Sequence, residues 1–256
     1  MTRYLAPLYL VIAFAFIYLP VVTLVLFSFQ GSTLPVPPFD GPSLRWYREV
    51  LGDDDTTEAL VNSLVVAIGS SAVAVTLGFL AAYGLARHVL PGSAFMRGLL
   101  IAPLTVSYLI VGLGLLIVIT RTGAGLSLVT AGIGHVVINL PLAFAILYAS
   151  MGAQQEQAER AARDLGANEF QVLMLVTAPM LAPAIAAAFF LSVTLSWDEF
   201  IIAFLLTRFD VTLPVEIWSM LRSGLSPRLN AIGSVVFLAS VAAVLILELF
   251  VLRRRQ

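Results

Sequence analysis

The chain has 256 residues, 60% of them hydrophobic and 11% charged, at a mean hydropathy of +0.99, whereas soluble domains run at roughly 45–50% apolar and about 25% charged. Its formal net charge of −1, from 14 basic and 15 acidic residues, provides no basic face for nucleic acid. Every basic residue is an arginine and there is no cysteine, which excludes a Walker A loop, a lysine Schiff base, a disulfide framework, a thiolate nucleophile and a Cys-ligated metal.

A bilayer crossing needs about 20 mostly apolar residues, and the stretches 5–29, 60–86, 99–119, 126–149, 180–206 and 229–252 meet that length. Their continuous apolar character argues for helices rather than alternating barrel strands. The expected fold is an all-α polytopic membrane protein with six transmembrane helices, one domain over 1–256. The first stretch is too long for a signal-peptide core and lacks a small-residue cleavage site, so it reads as a retained anchor. An even number of crossings puts both termini on one side, and Arg3 with Arg253, Arg254 and Arg255 favours the cytoplasm for it.

The segment after the first stretch carries Pro35, Pro37 and Pro38, then Trp46 and Tyr47 in an amphipathic run. An interfacial helix anchored by that aromatic pair is expected there. Asp53, Asp54 and Asp55 follow, and a short charge run of this kind reads as a solvated turn. Small residues at Gly78, Ala82, Gly112, Gly114, Gly132 and Gly134 suit close helix crossings. His135, near Asn139, reads as a satisfied packing histidine. Two histidines far apart, His88 and His135, make no metal site.

The segment 151–179 differs from every other loop. From Gln154 to Leu165 its residues are nearly all good helix formers, and Gly166 fits the position just past a helix end. Asn168 is a good N-cap for a second short helix, whose Phe170, Leu173, Met174 and Val176 form a face expected to rest on the bundle. Pro179 and Pro183 bracket the entry into the fifth span. A polar helix–Gly–helix elbow results.

Within that elbow, Ala161-Ala162-x-x-x-Gly166, followed after nine residues by Val176-x-Ala178-Pro179, resembles the EAA loop of ABC importer permeases. Arg163-Asp164-Leu165-Gly166-Ala167 is similar to the form found in the spermidine/putrescine branch of that family. The resemblance extends through Leu195-Ser196-Trp197-Asp198-Glu199-Phe200, Leu213-Pro214-Val215 and Ser226-Pro227-x-x-Asn230-Ala231, and upstream to Trp46-Tyr47 and Asn62-Ser63-Leu64, so it covers nearly the whole chain. The motif's leading Glu falls on Arg160, with Glu159 one place early; its Ile is Val176 and its Leu is Ala178. That departure bears on the charge of the contact rather than on its shape.

The resemblance implies the type I ABC importer permease fold, and it marks Glu159, Arg160, Ala161, Ala162, Asp164, Leu165, Gly166 and Pro179 as the coupling residues. It further implies a cytoplasmic ABC ATPase dimer carrying ATP and Mg, a second permease subunit (homologue or copy), and a periplasmic solute-binding protein. No cofactor belongs to this chain. The setting is a bacterial inner membrane, crossed several times, with both termini cytoplasmic. Physically, such an elbow is a lever: two small alanines permit close packing in a groove of the motor, and Gly166 supplies a bend that a β-carbon would oppose.

Asp198 and Glu199 fall inside the fifth apolar stretch, where a carboxylate costs about 2.5–3.5 kcal/mol on insertion scales and needs a partner or an aqueous cavity. Successive residues point about 100° apart on a helix. Thr194 and Asp198 therefore align, while Ser192, Ser196 and Glu199 form a second polar strip. With Trp197 alongside, the group suits a cationic amine. The competing reading gives one carboxylate to a neighbouring arginine or to the cap of a helix break. Beyond it, Pro214 and Pro227 bound a Val215–Leu221 stretch expected along the membrane surface, and Glu248 is placed to pair with the arginine tail.

The function expected is a permease subunit forming half of the pathway for a small organic solute, with a polyamine first and an opine or amino-acid derivative as the alternative solute. An ion- or proton-coupled secondary carrier would leave the elbow without a purpose. An intramembrane enzyme would require a Gly-x-Ser-x-Gly or His-Glu-x-x-His arrangement, and the chain has neither.

Overall fold

In hydrocarbon, a backbone that is not part of a closed barrel satisfies its polar groups only as helix. A computed structural model describes residues 2–254, with side chains over 7–241. The side chains of Arg3, Glu248 and the terminal arginines, on which orientation and tail pairing rest, lie outside the described residues. Among the described residues the backbone is helical almost throughout, with one isolated antiparallel bridge from Gln30 to Pro42. In order come α1 (Thr2–Ser28), α2 (Arg45–Leu51), α3 (Asp54–Arg87), α4 (Ser93–Ile101), α5 (Tyr108–Arg121) and α6 (Leu128–Ser150). There follow α7 (Ala153–Asp164), α8 (Glu169–Val172), α9 (Ala178–Met180), α10 (Ala182–Trp197), α11 (Ile201–Leu206), α12 (Leu213–Ser223) and α13 (Pro227–Arg254).

The chain divides into two compact units, one of residues 1–57 with 216–256, the other of residues 58–215. In the first, α1 packs along α13, and α13 against α2. Leu8, Phe14, Phe16, Ile17 and Leu19 of α1 are all exposed, an apolar surface that calls for lipid or another polypeptide. Trp46 departs from the interfacial anchor expected of it. Its ring is buried and its indole N–H donates to the Gln30 carbonyl at 2.7 Å, while the Tyr47 hydroxyl meets Ser28 Oγ at 2.7 Å. A buried indole needs an acceptor, and the turn around Gln30 supplies one, so the pair holds protein to protein.

The acidic run divides likewise. Asp54 and Asp55 are exposed as expected, but Asp53 is the N-cap of α3. Its Oδ2 accepts the Thr56 N–H at 2.9 Å and pairs with Arg228. Burial alone would raise its pKa, yet the two bonds from Thr56 and the Arg228 charge hold it below the ordinary value.

In the second unit the core lies where α3, α6 and α10 meet, around Phe79, Ala82, Phe144, Leu147, Leu181 and Ala188. Gly78 permits that approach: a Cβ there would sit 2.9 Å from the Phe144 backbone nitrogen and 3.1 Å from Ala143 Cβ. A second cluster joins Ile119, Ala131, Ile138, Ile202 and Leu206.

Two expected spans are not single helices. Over 99–119, α4 passes through a 3-10 turn (Ala102–Thr105) and meets α5 at a 106° bend. Pro103 has no N–H to give to a helix, and Val106 and Ser107 are extended. Over 180–206, α10 stops at Trp197 and α11 restarts at Ile201. By length and apolar character, three described helices are long enough to cross a membrane, or up to five spans if each of two bent pairs is one, and α13 is apolar over Pro227–Val241. Both short helices expected outside the spans form, α2 holding Trp46 and α12 holding Val215–Leu221.

Candidate functional site

The elbow is built by local rules at its corner. Gly166 has φ +92°, a conformation that side-chain-bearing residues resist. Its N–H donates to the Arg163 carbonyl at 2.9 Å and the Ala167 N–H to the Ala162 carbonyl at 3.0 Å, the paired bonds of a Schellman ending. Two residues later Asn168 opens α8, its Oδ1 accepting from the Gln171 N–H and Gln171 Oε1 accepting from the Asn168 N–H, both at 2.9 Å. This reciprocal cap satisfies two otherwise free donors.

Behind the corner, two polar rungs tie the elbow to the end of α3. In the first, Arg87 Nε donates to Glu159 Oε2 at 2.5 Å and its Nη2 to Oε1 at 3.3 Å. Thr177 Oγ1 donates to the same carboxylate at 2.9 Å, and Glu159 is fully buried. In the second, Arg163 forks onto Glu169 at 2.8 and 3.1 Å and donates to the Tyr83 hydroxyl at 3.0 Å. Tyr83 in turn donates to Glu169 at 2.9 Å. The hydrogen bonds from Arg163 and then Tyr83 hold the Glu169 carboxyl down to about 2.

The face expected to rest on the bundle is met in part, with Leu173 buried and Val176 half-buried. Val172, Leu173 and Thr177 are buried, whereas Phe170 is 68% exposed and Met174 is exposed as well. A π-helical turn spans Leu173–Thr177, and Phe170 lies before it on the outward side of α8.

Of the coupling residues named from the sequence, Glu159 faces inward and presents no carboxylate to a partner's surface. The others face out to varying degrees. Arg160 is exposed and paired with Glu156 one turn back; Ala161, Asp164, Gly166 and Pro179 are exposed, and Ala162 is half-buried. Leu165 is 90% exposed and Leu175 72%. The outer surface of the elbow is thus polar along α7, with small and apolar residues at its corner. Sequence reasoning passed over Tyr83, Arg87 and Thr177. The signal was a Tyr and an Arg one turn apart at the end of a long apolar helix.

The fifth-span group separates, but not by helix rotation, because Asp198 and Glu199 lie in the break after α10. Thr194 and Asp198 lie exposed, Trp197 is half-buried, and Ser192, Ser196 and Glu199 are buried. Glu199 Oε1 accepts the Ile202 N–H at 2.7 Å, capping the restart of the broken helix. Ser196 Oγ meets His135 Nδ1 at 2.5 Å and Ser70 Oγ at 3.2 Å; His135 is thus a packing residue as expected, but only half satisfied, its Nε2 buried without a partner among the described residues. Asp198 makes no ion pair among the described residues, and no cluster of three or more His, Asp or Glu residues there suits a metal ion.

The chain is similar to known proteins over most of its length. Residues 74–256 match the family described as "Binding-protein-dependent transport system inner membrane component". The chain is 29% identical over 238 residues to the spermidine/putrescine transport system permease protein PotC of Escherichia coli K12, covering 92% of this chain and 89% of that one. It is 33% identical over 235 residues to the putrescine transport system permease protein PotI of the same strain, covering 89% and 83%. In structure it is similar to a chain of a bacterial ABC transporter involved in the import of the acidic polysaccharide alginate, with a TM-score of 0.69 at 18% identity, covering 98% of this chain and 95% of that chain.

Proposed function

Because this chain belongs to the binding-protein-dependent transport system inner membrane components, we propose that it forms half of the translocation pathway of an ABC importer for a polyamine, spermidine or putrescine. It is a transport component, not an enzyme, and works with a separate ATPase dimer that holds ATP and Mg. A second permease completes the pathway, and a periplasmic binding protein delivers the solute. Residues 1–256 act as one six-span domain with both termini in the cytoplasm, and 151–179 is the cytoplasmic coupling loop.

The observation that carries this reading is the elbow. Ala161, Leu165 and Gly166 are exposed, on a corner fixed by the Schellman ending and backed by buried polar contacts. A small, rigid projection with Ala161, Leu165 and Gly166 at its corner is what a groove in a motor protein can grip. The polyamine assignment is supported by what PotC and PotI are named for, and by Asp198, a carboxylate next to Trp197 in sequence and without an ion pair among the described residues. A carrier driven by ions through Glu199 fits less well, because that carboxylate caps a helix.

Two measurements test this. Affinity purification in mild detergent is expected to recover an ATPase and a second membrane subunit, and recovery of this chain alone would end the proposal. Spermidine uptake is expected to stop when the ATPase is deleted and to survive an uncoupler. The opposite pattern would assign an ion-driven carrier.

A further inference from the structure

We infer that α3 is a second output of the lever: the coupling helix α7 and the inner half of α3 move as one body, joined by the two rungs Arg87–Glu159 and Tyr83–Arg163. The inference rests on the proposed role of the elbow as the motor's contact, and it adds where the motion goes. Chain connectivity alone would deliver it to α10, through α8, the π-helical turn and α9.

The register carries the argument. Tyr83 and Arg87 lie one turn apart on α3, and Glu159 and Arg163 one turn apart on α7. Stepping back a turn on α3 while stepping forward a turn on α7 passes from one rung to the other, the signature of two helices docked antiparallel along a shared face. A single contact would act as a hinge, whereas two contacts a turn apart resist rotation. Each rung is also tied beyond α7. Thr177, in the π-helical turn, donates to Glu159 at 2.9 Å, and Glu169, at the start of α8, bridges Arg163 and Tyr83. Both arms of the elbow are therefore fastened to α3.

Burial gives the first rung its stiffness. The side chains of Arg87 and Glu159 are 7% and 0% exposed, so separating them would leave two charges without partners in a dry environment. With the motif's leading position occupied by an exposed Arg160, the acidic residue one place earlier has turned inward. It makes Arg87 and Glu159 positioning residues rather than contacts to the motor.

The test uses the assembled transporter with spin labels at Leu80→Cys on α3 and Gln157→Cys on α7, both exposed positions, which are this chain's only thiols because it has no cysteine. In the otherwise native chain the label separation is expected to be the same without nucleotide and with ATP trapped by vanadate. In Glu159→Gln it is expected to change on trapping, and radiolabelled spermidine moved per ATP is expected to fall by a factor of about 2 to 30, the range over which single positions change coupling between sites. The exchanged pair Arg87→Glu with Glu159→Arg is expected to restore both. A separation that changes on trapping in the native chain would overturn the inference, as would a Glu159→Gln protein that matches the native one in both readouts. Should Glu159→Gln fail to insert, the native-chain separation still decides. Absence of a co-purifying ATPase would bring down the proposed function and this inference together. A bound, hydrolysing ATPase with a shifting label pair would bring down this inference alone.

Discussion

The Glu159 carboxylate accepts a hydrogen bond from Arg87 Nε at 2.5 Å, with both side chains withdrawn from solvent, while its sequence neighbour Arg160 points outward and reaches only Glu156. Two adjacent charged residues on one helix thus carry opposite loads. Breaking a buried pair costs about 3–5 kcal/mol, whereas an exposed pair at i, i+4 contributes about 0.3–0.5 kcal/mol. Glu159→Ala is therefore expected to lower the unfolding temperature of the detergent-solubilised protein markedly, and Arg160→Ala to leave it nearly unchanged. Arg160→Glu, in contrast, is expected to change the amount of ATPase recovered with the chain, because that side chain lies on the face of the elbow proposed as the motor's contact. Equal thermal effects of Glu159→Ala and Arg160→Ala would show that the buried rung contributes nothing.

Gly166 adopts φ +92°, and a β-carbon added there would meet nothing within 4 Å. The penalty for replacing it is conformational rather than steric. A strained left-handed residue costs about 1–3 kcal/mol, with Asn tolerated best and β-branched residues worst. Gly166→Val is expected to leave insertion intact and weaken the link between hydrolysis and uptake, with Gly166→Asn intermediate. Spermidine uptake measured alongside ATP hydrolysis in proteoliposomes checks the order, and an unimpaired Val variant would remove the bend from the mechanism.

How much of this was legible beforehand follows the range of each interaction. The Gly166 stop and the Asn168 cap depend on residues within a few positions, and both appear where the residue types place them. The partner of Glu159 lies 72 residues away, so no local pattern distinguished an inward Glu159 from an outward one. Trp46 failed for the same reason: its amphipathic stretch predicts an interface, but the acceptor for its indole is the Gln30 carbonyl, 16 residues back. Of the apolar face expected on α8 and beyond, Leu173 turns inward but Phe170 and Met174 do not, because four apolar residues in a short helix leave its rotation undetermined. In the fifth span the expected separation of Asp198 from Glu199 is found, but it arises at a helix break rather than from rotation along a continuous helix; the reading that one carboxylate caps such a break is the one Glu199 follows.

The second rung predicts a pH dependence with a definite sign. Glu169 has its carboxyl lowered from an ordinary 4.5 to about 2 by Arg163 and Tyr83. A depressed carboxyl contributes stability in full above its unfolded value and loses it as the pH falls toward the folded one. Hydrogen exchange of the 165–175 backbone is expected to be insensitive to this group near neutrality and to accelerate, after correction for intrinsic rates, between about pH 4.5 and 2. Glu169→Gln is expected to abolish that acid limb while raising exchange at neutral pH. A limb that persists unchanged in Glu169→Gln would assign it to another group.

The break in the fifth span allows its two carboxylates to be told apart. Glu199 is buried and accepts the Ile202 N–H, so Glu199→Ala is expected to cost about 0.5–2 kcal/mol, the usual loss of a helix cap, and to reduce uptake of every solute in proportion to the folded protein lost. Asp198 is exposed and without an ion pair among the described residues, so Asp198→Asn is expected to change stability by no more than about 0.5 kcal/mol. Its effect belongs on transport, weakening uptake of a doubly or triply charged amine more than of a neutral analogue of similar length, since only the former gains from a carboxylate beside an indole face. The measurement is a pair of uptake curves set against unfolding temperature for each variant. If Asp198→Asn weakened charged and neutral solutes alike, its carboxylate would not lie along the pathway, and the exposed face of α10 would have to meet lipid or the second permease.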